Sequence, residues 1–402
     1  MKILFLSGWF PYPPSNGARL RVFNLLRTLR SQHEIALISF VRETIHEIDR
    51  RGVEAYVRLL GTVPYRGAGS LAARWPFRHL LPLDSVYHNP AMTQLLGNVL
   101  EKNSFDLIVA AEIGPGLCTS PYLKGKGTVP WVIEDLEPTM ISNKIRTEDF
   151  WIQRIRYGLT WWKHRRYLAD ILDEADGCTV VSKKERAQVE EIMRRPIPLG
   201  MVPNGVDLDR YCFRQSPPEK NTLVFPGALT YKANFEAIEF FLKHVFPLIL
   251  VERANVRLFV TGNTDQVPLD RLRRSEQVIF TGYLEDVRQT IAQSTLCIVP
   301  LLSGGGTRMK ILESMALGTP VVSTSLGAEG LEVEPNKNIL IADDPRGLSR
   351  AVLRILSEEA LREKLSEEGR KLVEERYSWE RSGERLEHFL LTVLEKSRSR
   401  TS

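Results

Sequence analysis

The sequence predicts the α/β class, arranged as two Rossmann-like domains. Three observations carry this: strand-like apolar runs alternate with amphipathic helical segments in both halves, a proline-marked stretch at residues 196–206 separates the halves, and 402 residues with 43% hydrophobic content suffice for two cores. The predicted division is 1–198, 199–378 and a tail at 379–402.

Lys2–Ser7 reads as a strand, followed by the loop GWFPYPPSNG and a helix over 18–30 with the core stripe Val22, Leu25, Leu26 and Leu29. Residues 34–40 and 53–59 read as strands, 90–102 as a helix, and 106–111 and 131–133 as strands. A helical region is expected over 139–176, broken at Gly158, then a strand at 177–181 and a helix at 183–194. In the second half, strands are expected at 223–226, 256–261, 278–281, 296–300 and 321–323, with helices over 234–250, 286–293 and 307–317. A tail helix over 379–396 precedes six residues expected to be disordered.

Composition narrows the function. Residues 1–200 hold 27 Lys/Arg against 21 Asp/Glu and 201–402 hold 27 against 28, a mild positive excess in the first half that suits an anionic acceptor or a membrane surface. Cys118, Cys178, Cys212 and Cys297 are far apart and match no metal or redox spacing, which points to reduced thiols and a cytoplasmic setting. No apolar run approaches the roughly 18–20 residues of a spanning helix. The run Asp173-Glu174-Ala175-Asp176 spells a helicase box, but no phosphate-binding GK[ST] loop accompanies it, and no nucleic-acid partner is expected.

The most informative stretch is residues 296–324, LCIVPLLSGGGTRMKILESMALGTPVVST, a strand, glycine turn, helix and strand. Gly304, Gly305 and Gly306 let a ligand approach the backbone, and Thr307 is expected to N-cap the helix. Projected at about 100° per residue, Lys310 and Glu313 share a flank and Arg308 falls in the apolar sector. Arg308 and Lys310 in a first turn oppose the helix dipole, so an anion such as a diphosphate is expected there, and loss of Arg308 is expected to leave the empty protein as stable or more so. The plain alternative is an ordinary crossover, with Arg308 snorkelling and Lys310–Glu313 a surface pair.

GGGTRMKILESMALGTPVVST resembles the C-terminal motif of the family 4 glycosyltransferases, retaining two-domain enzymes of the GT-B fold, and Pro203-Asn204-Gly205-Val206-Asp207 resembles their domain-junction turn. The resemblance implies two domains facing across a cleft, with the C-terminal helix crossing back to the first. Of the family's two glutamates separated by seven residues, the second falls on Glu313, which implies that it holds the ribose hydroxyls. The first, which contacts the donor sugar in the family, falls on Gly305.

Further site candidates follow strand ends, where chemistry gathers in such sheets. Asn16-Gly17 resembles the glycine loop that faces the donor diphosphate, with Arg19 and Arg21 just beyond; a plain turn is the alternative. Glu112, Glu134 and Asp135 can bind acceptor hydroxyls or assist proton transfer, or merely cap loops; many family members carry a histidine near Glu112. Gly227, Gly262 and Gly282 end three strands of the second half. The resemblance implies that Lys232 grips the diphosphate and that Tyr283 and Leu284 pack on the base, with a core role for these two as the alternative. Asp207-Leu208-Asp209 mimics a metal motif but belongs to the junction turn, so no metal and no obligatory cofactor are expected.

The expected function is metal-independent transfer of a sugar, with retention, from a nucleotide-diphosphate sugar to a glycan, lipid-linked sugar or small-molecule acceptor, Arg308 and Lys310 stabilising the departing diphosphate. A sugar-nucleotide epimerase or hydrolase of the same fold, and a non-catalytic nucleotide-sugar-binding module, are the rivals. The mixed segment RIRYGLTWWKHRRYL adds an expectation of peripheral contact with the inner membrane face, against a core face of aromatics with a solvated basic side.

Overall fold

The computed structural model describes residues 1–65, 89–123, 129–136, 151–273 and 275–401. The chain forms two compact units, Met1–Pro203 with Trp379–Ser402, and Asn204–Ser378. The division falls after Pro203 rather than at 198 because Leu199–Met201 pairs with the sheet of the first unit.

In the first unit the elements are β1 (Lys2–Ser7), α1 (Gly17–Leu29), β2 (Glu34–Val41), α2 (Glu47–Glu54), β3 (Arg58–Pro64), α3 (Pro90–Lys102), β4 (Leu107–Ala111), α4 (Ile113–Leu123), β5 (Trp131–Glu134), α5 (Trp151–Glu174), β6 (Gly177–Val180), α6 (Lys183–Ile192) and β7 (Leu199–Met201). Among the described residues the seven strands form one sheet in the order β3-β2-β1-β4-β5-β6-β7, and every pairing is parallel. Central strands of such sheets are covered on both faces, which is why β1 and β4 are apolar at successive positions. Their alternate side chains feed two layers. Leu4, Leu6 and Ile108 pack with Leu96, Leu168 and Leu172, while Ile3, Phe5 and Val109 pack with Leu25 of α1 and with Leu386, Phe389 and Leu390 of the tail helix Trp379–Thr401.

In the second unit the elements are β8 (Glu219–Pro226), α7 (Lys232–Phe240), a π-type turn at Phe241–Val245, α8 (Phe246–Glu252), β9 (Arg257–Thr261), β10 (Val278–Gly282), α9 (Arg288–Gln293), β11 (Ser294–Val299), α10 (Met309–Ala316), β12 (Val321–Ser323), β13 (Leu340–Ile341), α11 (Pro345–Ser357) and α12 (Glu359–Arg376). The sheet order is β10-β9-β8-β11-β12-β13, again parallel throughout. Each sheet therefore reverses its strand order once, between β1 and β4 and between β8 and β11. Loops leaving the carboxyl ends of strands at such a reversal diverge and leave a crevice for a ligand.

Several sequence expectations are corrected. Residues 53–59 do not form a strand: Glu47–Glu54 is helical, with His46 and Asp49 closing a capping box, and the strand starts at Arg58. The segment Ile113–Leu123 is a helix despite two glycines and two prolines, with Cys118 and Thr119 buried against the sheet. Gly158 does not break α5, which runs through it from Trp151; residues 139–150 lie outside the described set. The tail helix continues to Thr401, leaving no six-residue disordered end.

One buried ion pair ties the first unit together. Arg21 of α1 and Glu134 at the end of β5 are 3% and 0% exposed. The Arg21 Nε donates to both carboxylate oxygens at 3.1 and 3.3 Å, and Nη2 donates to Glu134 and, at 2.9 Å, to the Val202 carbonyl just past β7. Burial works against the charge, but Glu134 and Asp135 outweigh it and hold the Arg21 pKa above its usual value. Truncating Arg21 strands a buried carboxylate, so Arg21→Met should lose about 3–5 kcal/mol in urea unfolding, while adding Glu134→Gln should restore much of it. A double variant no more stable than the single one would mean that charge pairing is not what Arg21 supplies.

Candidate active site

The glycine turn leaves β11 at the reversal in the second unit, but its helix begins at Met309, two residues later than expected. Arg308 occupies the N-cap position and is 6% exposed. Its Nη1 donates to the Gly305 carbonyl at 3.0 Å, and its Nη2 donates to the carbonyls of Gly304 and Leu326 at 3.1 and 3.3 Å. The guanidinium is thus a staple across the turn. Arg308 therefore lies just before the helical turn expected for it; burial lowers its pKa, and its Nε has no hydrogen-bond partner among the described residues. Projection on an ideal helix does not apply to a residue outside the helix. Thr307 does not cap either: its hydroxyl accepts from Asn204 Nδ2 at 2.7 Å, which ties the junction turn to the glycine turn.

Arg308 also sets the direction of the backbone. In a trans peptide the carbonyl and the next N–H point oppositely, so carbonyls of Gly304 and Gly305 turned onto Arg308 aim the N–H groups of Gly305 and Gly306 away from it. Neither N–H has a hydrogen-bond partner among the described residues.

Lys310 and Glu313 lie on one flank of α10, as expected, but do not pair with each other. The Lys310 ammonium donates to Asn234 Oδ1 at 2.8 Å and sits 4.2 Å over the Phe225 ring. Burial lowers its pKa to about 8, helped by Arg308 and opposed by Cys297 and Glu313. Gly227, at φ +147°, passes so close that a Cβ there would lie 2.9 Å from the Lys310 Nζ. Glu313 accepts from the Tyr211 hydroxyl at 3.2 Å, and burial raises its pKa against the pull of Tyr211 and Lys310. Asn234 and Tyr211 carried no sequence signal.

Lys232, in the first turn of α7, is largely exposed and pairs with Glu236 at 3.4 Å; Glu236 in turn accepts from Ser303 of the glycine turn at 2.8 Å. Gly282 ends β10 at the same end of the sheet. Tyr283 is 77% exposed, which removes the core alternative for it, and Leu284 is half-buried outside the core cluster. The Asp207 carboxylate accepts from the N–H groups of Asp209 and Arg210 at 3.2 and 3.1 Å, the work of a turn residue.

In the first unit, Asn16 caps α1 by accepting from the Arg19 N–H at 3.0 Å, and Gly17 has open space around its would-be Cβ. Glu134 is buried in the pair with Arg21, out of reach of any substrate, and so leaves the set of acid–base candidates. Glu112 and Asp135 differ. Both end strands in the left-handed region, at φ 69° and 58°, a conformation costing a non-glycine residue about 1–2 kcal/mol. The Glu112 carboxylate lies directly over Gly8. Asp135 lies 3.4 Å from the Arg21 Nε through one oxygen, while Oδ1 is buried without a hydrogen-bond partner among the described residues.

Residues 15–210 match the family described as Glycosyltransferase Family 4, and residues 220–358 match Glycosyl transferases group 1. The chain belongs to the family 4 glycosyltransferases. This glycosyltransferase is 23% identical over 387 residues, 95% of each chain, to an uncharacterized glycosyltransferase of Methanocaldococcus jannaschii. It is 30% identical over 156 residues, 36% of this chain and 41% of the other, to a GDP-mannose-dependent monoacylated alpha-(1-6)-phosphatidylinositol monomannoside mannosyltransferase of Corynebacterium glutamicum. Its fold is that of sucrose-phosphate synthase from Thermosynechococcus elongatus (TM-score 0.70, 17% identity, 98% and 100% of the two chains). Anabaena HepE, solved in complex with UDP, is similar at a TM-score of 0.67 and 16% identity, over 98% and 100%. The fold is GT-B.

The stapled glycine turn makes a direct prediction for the glycosyltransferase. Arg308→Ala leaves the Gly304 and Gly305 carbonyls without donors, while the Leu326 carbonyl keeps the Glu329 N–H at 3.3 Å, so the empty enzyme should lose about 1–3 kcal/mol and melt lower. Arg308→Lys should recover part of this, since an ammonium cannot span all three oxygens. An unchanged or raised melting temperature in the alanine variant would return Arg308 to the role of an anion-facing cation.

Proposed function

We propose that the enzyme transfers a sugar, with retention at the anomeric carbon, from a nucleoside-diphosphate sugar to a hydroxyl of a glycan, lipid-linked sugar or small-molecule acceptor, without an obligatory metal. The observation that carries this reading is the placement of Lys310 and Glu313 on one flank of α10 beside a glycine turn with two outward N–H groups. The donor belongs to the second unit. Glu313 accepts from the ribose hydroxyls, Lys310 and the N–H groups of Gly305 and Gly306 take up the charge that grows on the departing diphosphate, and Arg308 holds the turn in shape. Lys232, at the start of α7, adds a mobile cation, and Tyr283 offers a ring to the base. UDP in HepE and GDP-mannose in the mannosyltransferase relative support a nucleotide sugar, and together leave the base open. The acceptor belongs to the first unit, with Glu112 and Asp135 available to its hydroxyls.

Donor binding should be linked to a proton. In the empty enzyme Lys310 titrates near 8; a neighbouring diphosphate favours the ammonium and raises that value. At alkaline pH the complex then holds more protons than the free enzyme, so affinity for the nucleoside diphosphate should fall by up to about tenfold per unit as the pH rises past about 8. Calorimetry in buffers of different ionisation enthalpy reads the proton uptake directly, and Lys310→Met should abolish it. Affinity that stays flat between about pH 7 and 10 in the wild type would count against the assignment. Glu313→Ala should lower kcat/KM by about ten- to a hundredfold.

Peripheral membrane contact belongs to the same reading. No helix among the described residues is long and apolar enough to cross a membrane. On α5, however, Trp161 and Tyr167 pack on the core while Ile155, Leu159 and Trp162, one helical stripe, are 55%, 54% and 56% exposed. Arg166 continues the stripe and stacks 5.2 Å over Trp162. Flotation with anionic vesicles should recover the enzyme at low salt, less so for Trp162→Ser, and equal recovery with neutral vesicles would remove the electrostatic part of this contact.

A further inference from the structure

The carboxyl ends of β1, β2 and β3 carry a cluster that donor binding leaves unused. Trp9, Arg42 and Tyr65 follow these strands by one or two residues, and a parallel sheet delivers all three to the same end. The Arg42 Cζ lies 3.7 Å from the centroid of the Trp9 ring and 3.7 Å from that of Tyr65. Two rings that close to one carbon cannot share a face, so the guanidinium lies between them.

The Trp9 backbone is anchored, and so are the Tyr65 backbone and ring. The Ser7 hydroxyl, at the end of β1, donates to the Trp9 carbonyl at 2.5 Å and accepts from the Trp9 N–H at 3.2 Å. The Tyr65 N–H donates to the Val41 carbonyl at 2.6 Å, and its ring meets Phe40 edge-on at 5.7 Å. Arg42 itself is exposed and makes no hydrogen bond or ion pair among the described residues. A second cation stands beside it: Arg19 reaches the same Trp9 ring at 5.9 Å, its Nε is buried without a partner among the described residues, and its Nη2 lies 3.5 Å from Glu43.

A guanidinium stacked on both faces can be approached only in its plane. Its edge presents parallel N–H donors at the spacing of two oxygens on a carboxylate or phosphate, and the rings have already removed water from its faces and restricted its rotation. An anion bound there gives up little further side-chain entropy. Glu43 is turned to Arg19, so the edge of Arg42 is the unclaimed donor set. We propose that the Trp9–Arg42–Tyr65 sandwich binds an anionic group, carboxylate or phosphate, carried by the sugar of the acceptor. This rests on the reading that the first unit takes the acceptor.

The test uses the full chain and four probes: glucuronate, glucose 6-phosphate, inorganic phosphate and glucose, titrated by calorimetry. Saturable binding of one or both charged sugars is expected, with glucose silent, and the preference between the two tells carboxylate from phosphate. Arg42→Ala should weaken binding at least tenfold. Arg42→Gln, which keeps a planar stacked group without the charge, should weaken it as much and guards against a folding defect in the alanine variant. UDP and GDP binding, measured in parallel, should be unchanged in both variants. Binding of inorganic phosphate as tight as that of the sugar phosphate would overturn the sugar part of the proposal. No saturable binding of any anion, or equal binding by wild type and Arg42→Gln, would overturn all of it. If UDP and GDP also fail to bind the wild type, the donor reading fails separately.

Discussion

A single buried guanidinium decides the shape of the glycine turn at residues 304–306. Gly304, Gly305 and Gly306 have no side chains to hold them, and fixing each costs about 1–2 kcal/mol of backbone entropy. Arg308 offsets that cost by gathering the carbonyls of Gly304, Gly305 and Leu326. Since peptide planes are rigid, the same contacts aim two N–H groups outward. Arg308 therefore contributes positive potential at the turn through the dipoles it orients. Dipoles fixed in advance need no reorganisation when charge moves onto the leaving group.

Lys310 depends on that arrangement. Its ammonium is near Arg308, over the Phe225 ring and against the backbone of Gly227, and among the described residues only Asn234 accepts a hydrogen bond from it. A fall in pKa from 10.5 to about 8 corresponds to on the order of 3 kcal/mol of disfavoured charge in the empty site. The enzyme holds this unfavourable charge where a diphosphate would relieve it. Glu313, with its raised pKa, is the matching case of opposite sign on the same flank. The two groups stay apart because each has a neutral partner of its own, Asn234 and Tyr211, and a direct ion pair would have consumed both.

What the sequence made legible follows from the range of the interactions. The strand, turn, helix and strand over residues 296–324 could be read because periodicity and glycine chemistry are local. Lys310 and Glu313 on one flank follow from helical geometry, and their spacing survives a two-residue error in where the helix starts. The placement of Arg308 did not survive it, because helical projection set that residue inside the helix rather than at its N-cap. Asn234 and Tyr211 are 76 and 102 residues from the partners they orient, and nothing near them signals this. The helix Ile113–Leu123 was hidden by its glycines and prolines, whose low propensity is overridden by burial against the sheet.

The three strand-end carboxylates of the first unit, alike in sequence, are separated by their surroundings. Glu134 points into the protein and is neutralised by Arg21, which makes it a structural charge. Its neighbour Asp135 is left with one oxygen near that same guanidinium and one buried oxygen lacking a donor among the described residues, on a backbone in the left-handed region. Glu112, one strand over, is strained in the same way. Unsatisfied acceptors and strained backbone both raise the energy of the empty protein, and here they lie at the carboxyl ends of β4 and β5, next to the reversal between β1 and β4, near which parallel sheets bind ligands. Oδ1 is enclosed but the Asp135 side chain as a whole is 22% exposed, so in the proposed reading an acceptor hydroxyl would meet Asp135 at the rest of its carboxylate. In the proposed reaction the attacking hydroxyl must also lose its proton as the glycosyl bond breaks. A carboxylate already short of a hydrogen bond is suited to take that proton, whereas Glu134, fully occupied by Arg21, is not.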